Sequence, residues 1–153
     1  MLLDQEVTRR TVVELRKALG ERLVAVVLFG SRARGDARAD SDWDLLVLAD
    51  DLPQNPFDRQ LFFGRLLLPN IPGAITVLAK SPKEFEAYLP SLYLDIALDG
   101  QILYDPSGFA ADRLAALRRL IEEAGLHRER TEFGDMWAWE KEPTGPWALE
   151  WKK

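Results

Sequence analysis

At 153 residues the chain has the size of one compact domain, or of one domain with a small appendage, and its 47% hydrophobic and 29% charged content is that of an ordinary globular protein. It has no cysteine and one histidine, His127, which excludes disulfides, thiolate zinc sites, cysteine nucleophiles and imidazole-rich metal centres; any metal is held mainly by oxygen, as magnesium, manganese or calcium are. Acids outnumber bases 25 to 20 for a formal net charge of -5, so general nucleic-acid binding lacks its electrostatic driving force, while a local basic patch can still take a phosphate.

Leu3, Val7, Val12, Leu15 and Leu19 recur at helical spacing before Gly20, which predicts an amphipathic helix over residues 3–19. The opening Met1-Leu2-Leu3-Asp4-Gln5-Glu6 lacks a basic and then apolar start, and the longest apolar run, Leu23 to Phe29, is far shorter than the ~18 residues of a membrane span, so a cytoplasmic location away from membranes is expected. That run is rich in β-branched residues and closed by Gly30, which reads as a buried strand. A polar loop over residues 30–42 separates it from a second apolar strand, Trp43 to Leu48. Asp50-Asp51 then reads as a strand-ending turn before Pro53.

Phe57 to Leu68 is expected as a helix, ended by Pro69-Asn70-Ile71-Pro72-Gly73 before a third strand, Ala74 to Leu78. Ser81-Pro82-Lys83-Glu84 is a capping box with proline at the first helical position. A second short helix over Ser91 to Leu98 stops at Gly100, and Gln101 to Tyr104 is a strand. Phe109, Leu114, Leu117, Leu120, Ile121 and Ala124 share one face of a last helix that Gly125 terminates; Arg118-Arg119 and Glu122-Glu123 form its solvated, ion-paired side. His127, among Arg128, Glu129 and Arg130, reads as solvent-facing beyond that stop.

Four of the five tryptophans lie between Trp137 and Trp151. Trp137 and Trp139 alternate, Pro143-Thr144-Gly145-Pro146 supplies turn chemistry, and Trp147, Leu149 and Trp151 alternate again, which predicts a C-terminal β-hairpin with an aromatic face. The simpler reading has the rings cover the sheet or helices; the alternative makes them a partner surface or a base-stacking platform. The division expected is a domain over residues 1–126 with a Trp-rich segment, 127–153, packed on it.

The chemistry concentrates in Gly30-Ser31-Arg32-Ala33-Arg34-Gly35-Asp36 and Ser41-Asp42-Trp43-Asp44. Glycine at a strand-ending turn admits close approach of a phosphate to backbone N–H groups, and Ser31 adds a hydroxyl donor. Asp42 and Asp44, two apart on a strand, project from one face with Cα atoms roughly 6.5 Å apart, a pair able to hold a hard divalent cation. Gly-Ser, ten residues and Asp-x-Asp resembles the signature of the DNA polymerase beta-like nucleotidyltransferases, and the wording around it is similar to their small, stand-alone branch, the minimal nucleotidyltransferases. The similarity extends to Ser81-Pro82-Lys83-Glu84-Phe85 and to Asp99-Gly100-Gln101-Ile102-Leu103-Tyr104-Asp105.

The resemblance implies an α/β fold with a short mixed sheet packed by helices. It implies magnesium, or manganese, on Asp42 and Asp44, and a nucleoside triphosphate such as ATP held through Gly30 and Ser31. Arg32, and after it Arg34 and Arg38, would neutralise phosphate charge. The reaction implied is transfer of a nucleotide, AMP for instance, to a hydroxyl of a protein or small molecule, and the partner implied is a helical HEPN-type protein, sometimes as toxin to the chain's antitoxin; self-association is left open. The sequence departs from the family at one point: counting six residues back from Pro82, the position of a third carboxylate is Thr76. Asp95 or Asp99 is a conceivable substitute, though each reads more simply as helix-surface or helix-end charge. Thr76 makes a catalytically lapsed module that binds nucleotide or a partner the second reading.

Overall fold

The computed structural model describes residues 4–71 and 73–151; Leu3, of the expected first helix, and Pro72, of the stretch expected to end the helix before the third strand, lie outside them. The elements in chain order are α1 (Asp4–Leu19), a 3-10 turn (Gly20–Arg22), β1 (Leu23–Phe29), α2 (Ser31–Arg34), β2 (Trp43–Ala49), α3 (Pro56–Leu67), β3 (Ile75–Lys80), α4 (Pro82–Ala87), α5 (Leu92–Asp99), β4 (Gln101–Tyr104), α6 (Phe109–Ala124), β5 (Leu126–Thr131) and β6 (Gly134–Trp139). No helix among the described residues is long and apolar enough to cross a membrane.

β1 to β4 form one mixed sheet in the order β3-β2-β1-β4; β1 runs antiparallel to β2 and β4, and β2 parallel to β3. The central strands are apolar apart from Asp44 because both faces are covered. Val26, Leu28, Leu45 and Val47 turn toward α1 and α3, where Val7, Leu15, Phe63 and Leu67 pack. Ala25, Val27, Leu46 and Leu48 turn toward α4, α5 and α6, against Phe85, Leu94, Ile96, Leu114 and Leu117. The strand period of two thus splits each run between two cores.

The Ser81 capping box forms as expected: the Ser81 hydroxyl accepts from Glu84 N at 3.0 Å and the Glu84 carboxylate accepts from Ser81 N at 2.8 Å. The buried Arg59 of α3 completes this corner, donating to Pro53 O at 2.8 Å, Ala79 O at 3.0 Å and the Glu84 carboxylate at 3.0 Å. It lies at the end of the sheet away from Asp44.

The C-terminal hairpin is present with different strands. β5 pairs with β6 around a turn at Glu132 and Phe133, so Trp137 and Trp139 pair with Arg128 and Leu126, and residues 140–151 carry no strand. Gly125, at φ 65, reverses the chain after α6 and starts β5 at once, while Pro143 and Pro146 cannot donate to a ladder. Trp147 instead meets Trp139 edge-on at 5.4 Å. Trp151 packs on Phe85 at 5.4 Å and donates Nε1–H to Phe85 O at 3.2 Å and Tyr88 O at 3.0 Å.

Candidate active site

At the site end of the sheet the chain leaves β1 through Gly30, and β2 and β3 begin side by side. Asp44 is in register with Phe29 on one side and Thr76 on the other. Its parity with Leu46 and Leu48 points it to the α5 face. Gly30 adopts φ 75 and ψ -159, and a Cβ built there would overlap the Asp44 carboxylate, so only glycine lets the turn pass this close. Gly30 O then accepts from Ala33 N and Arg34 N, each at 3.1 Å, which winds α2 directly after the turn.

The result is a cleft of about 550 Å³ with Gly30, Ser31, Arg34, Asp44 and Thr76 on one wall and Leu92, Asp95, Asp99, Arg128 and Asp135 on the other. Asp42, exposed just before β2, stands at its margin rather than in its lining, close enough for its charge to act on Asp44. Burial and then that neighbouring charge push the Asp44 carboxyl above its ordinary value of 3.8, against the opposing pull of Arg34. Among the described residues no group of three or more acidic, histidine or cysteine side chains converges as a metal site. Asp44 and Thr76 line this side of the cleft with Asp42 at its margin, and their oxygen chemistry suits a hard divalent cation whose remaining ligands come from substrate and water.

The arginines divide by sheet face. Arg32 lies over the Trp43 ring at 4.3 Å, on the α1 side, and donates to Ser41 O at 2.9 Å and Ala39 O at 3.4 Å. It is therefore placed outside the cleft, where it holds the loop that delivers Asp42, and Arg38 does not line the cleft either. Arg34 does line it and reaches Asp36 at 3.3 Å and Asp99 at 3.5 Å.

Asp95 lies on α5 and Asp99 at its end, as the sequence suggests, but both are ion-paired and line the cleft. Arg128 of β5 binds both oxygens of Asp99 at 2.7 and 2.8 Å and Asp95 at 3.2 Å, while Trp137 Nε1–H donates to Asp95 at 3.2 Å. These bonds hold the Asp99 carboxyl below its ordinary value and keep Arg128 firmly protonated. The wall containing Arg128 and Asp135 was hidden by its charged composition; the available signal was the alternation of Leu126, Arg128 and Arg130 and the one-turn spacing of Asp95 and Asp99. His127 sits in β5 with Nε2 2.7 Å from Glu129. Arg118 turns from the solvated face to donate to Ala97 O at 3.1 Å, tying α6 to α5.

A mixed sheet with a Gly-Ser turn packed against the Asp44 carboxylate is the arrangement expected of a nucleotidyltransferase, and comparison with known proteins agrees. The family "Polymerase beta, Nucleotidyltransferase" matches residues 14–87. Protein adenylyltransferase MntA of Aphanizomenon flos-aquae is 33% identical over 114 residues, covering 67% of this chain and 75% of that protein. Protein MJ1305 of Methanocaldococcus jannaschii is 30% identical over 111 residues, covering 70% and 76%. The chain belongs to the minimal nucleotidyltransferase family of the polymerase beta-like superfamily. A solved complex of tri-AMPylated Shewanella oneidensis HEPN toxin with MNT antitoxin shares the fold: TM-score 0.53, 18% identity, 79% of this chain and 92% of the matched chain covered.

Proposed function

We propose that this nucleotidyltransferase moves AMP from ATP, with magnesium, to a hydroxyl of a protein acceptor, for which a helical HEPN-type partner in the cytoplasm is the first candidate. The observation that carries the reading is the meeting of Gly30, Ser31, Arg34 and Asp44 in one cleft of about 550 Å³, a volume suited to a small ligand. The adenylyltransferase name of the Aphanizomenon relative and the AMPylated toxin of the Shewanella complex support the choice of AMP and of acceptor. Residues 1–126 are read as the transferase domain and 127–153 as its accessory segment.

Asp42 and Asp44 would hold the cation; when bound, it stabilises charge on the attacking and leaving oxygens. Gly30 and Ser31 orient the β- and γ-phosphates, and Arg34 offsets their charge from α2. Arg32 acts one step back, through the 39–41 loop that positions Asp42. The acceptor oxygen forms a bond to the α-phosphorus as the bond to the pyrophosphate oxygen breaks. Thr76 cannot take the hydroxyl proton at neutral pH, so that proton passes to water or to a base on the acceptor. Absence of a general base costs roughly 10²- to 10⁴-fold in rate, which leaves a slow enzyme.

The first test is thermal. Saturating ATP with magnesium, near a hundred times Kd, stabilises by about 2.7 kcal/mol, or roughly 5–10 °C in Tm for a domain of this size. Asp44→Asn is expected to remove most of that rise, and α-labelled ATP is expected to label a purified HEPN-type partner only with the unmodified chain. An unchanged melting curve at millimolar ATP refutes the site. A large rise without label on any acceptor favours the second reading, a module acting by occupancy, for which Thr76 beside Asp44 is the specific observation.

A further inference from the structure

The far wall of the cleft carries acids for which the transfer chemistry has no use. Asp95 and Asp99, one turn apart on α5, and Asp135 on β6 face the same space as Asp44. A triphosphate entering that space meets their charge. Arg128 answers it from the hairpin: its side chain is 19% exposed, that of Asp99 9%, and the two share a forked pair at 2.7 and 2.8 Å. Arg34, the arginine of the opposite wall, rests on the same Asp99 carboxylate at 3.5 Å. One carboxylate therefore links the cation of α2 to the cation of β5, and the C-terminal hairpin brings both Arg128 and Asp135 into the cleft, Asp135 being paired with Arg130 at 3.5 Å.

We propose that Arg128 is a positioning residue for the triphosphate: β5 carries it into the cleft to offset the charge of Asp95 and Asp99. The proposal rests on the nucleotide reading above and deepens it, since it makes the hairpin part of the nucleotide site. Arg128 makes and breaks no bond. Its removal leaves partly buried carboxylates facing a polyanion, which is expected to weaken nucleotide binding about tenfold.

The test is calorimetric titration of ATP, with magnesium, into the whole protein and its Arg128→Gln, Arg128→Lys, Arg128→Gln/Asp99→Asn and Asp44→Asn variants. Arg128→Gln is expected to bind about tenfold more weakly, and the double variant to recover most of the loss because the uncancelled charge has gone. Arg128→Lys is expected between them, keeping the charge without the fork. Where an acceptor is in hand, the loss falls on KM for ATP and leaves kcat within about twofold. A role confined to docking the hairpin predicts the opposite: Asp99→Asn deepens the loss instead of repairing it, and that result overturns the proposal. Equal affinity of Arg128→Gln and the parent chain overturns it as well. These results are separable from failure of the underlying reading, in which the parent chain binds no ATP or Asp44→Asn binds as well as the parent, and which removes both.

Discussion

Thr76 lies in register with Asp44 on the neighbouring parallel strand, so a carboxylate introduced there stands within a strand spacing, about 4.8 Å between backbones, of one already raised by burial and by Asp42. Thr76→Asp is expected to lower Tm by a few degrees in chelator, through like-charge repulsion, and to show a larger magnesium-dependent rise than the parent chain. Scanning calorimetry with and without magnesium reads both; an equal magnesium response in the two proteins refutes a cation site at this pair. At this scale the sequence picks out Gly30, Ser31 and Asp44, which the fold brings together. It does not rank Arg32 against Arg34: that choice depends on which sheet face each side chain turns to after the Gly30 bend, and Trp43 captures Arg32 on the other face.

Among the elements, the capping box and the strand runs are legible because they are local. The hairpin is legible in existence and not in place. Tryptophan alternation is a weak register signal beside two prolines, and β5 reads as a solvated charged stretch because its partners lie some thirty residues earlier on α5. The Asp99 pair gives this docking a pH dependence. Since hydrogen bonding to Arg128 holds the Asp99 carboxyl below its ordinary 3.8, the stabilisation is fully present above about pH 4 and is lost as the pH falls through the lowered value. Trp137, bonded to Asp95 beside that pair, reports it: its fluorescence is expected to change below pH 4, ahead of global unfolding, and Asp99→Asn to abolish that step. A transition coincident with loss of far-ultraviolet circular dichroism would instead mean that the hairpin has no separate docking equilibrium.

For the whole molecule, two cores on opposite faces of one four-stranded sheet supply the stability, and the C-terminal segment belongs to one of them. Trp151 closes the α4–α6 core over Phe85 with two hydrogen bonds to the carbonyls that end α4. Trp151→Ala is expected to cost about 2–3 kcal/mol, below the 3–5 of a fully buried tryptophan because the ring is half-covered. Urea unfolding should show a lower midpoint at an unchanged slope. A variant within about 0.5 kcal/mol of the parent would mean that the segment only rests on the domain.

The chain by itself determined most of the strand and helix order, the Gly-Ser turn and the two acids, but not the helical turn α2 or the place of the hairpin; the third-carboxylate position at Thr76 follows from the family resemblance. These are written in neighbouring residues, in hydrophobic period and in spacing to a capping proline. What only the tertiary structure decided is the far wall of the cleft: which arginine enters it, that Asp95 and Asp99 face it, and that a strand from beyond α6 supplies Arg128 to hold them. Such pairings are fixed by which faces two packed elements turn to each other, and charge in a sequence carries no mark of the partner that will meet it.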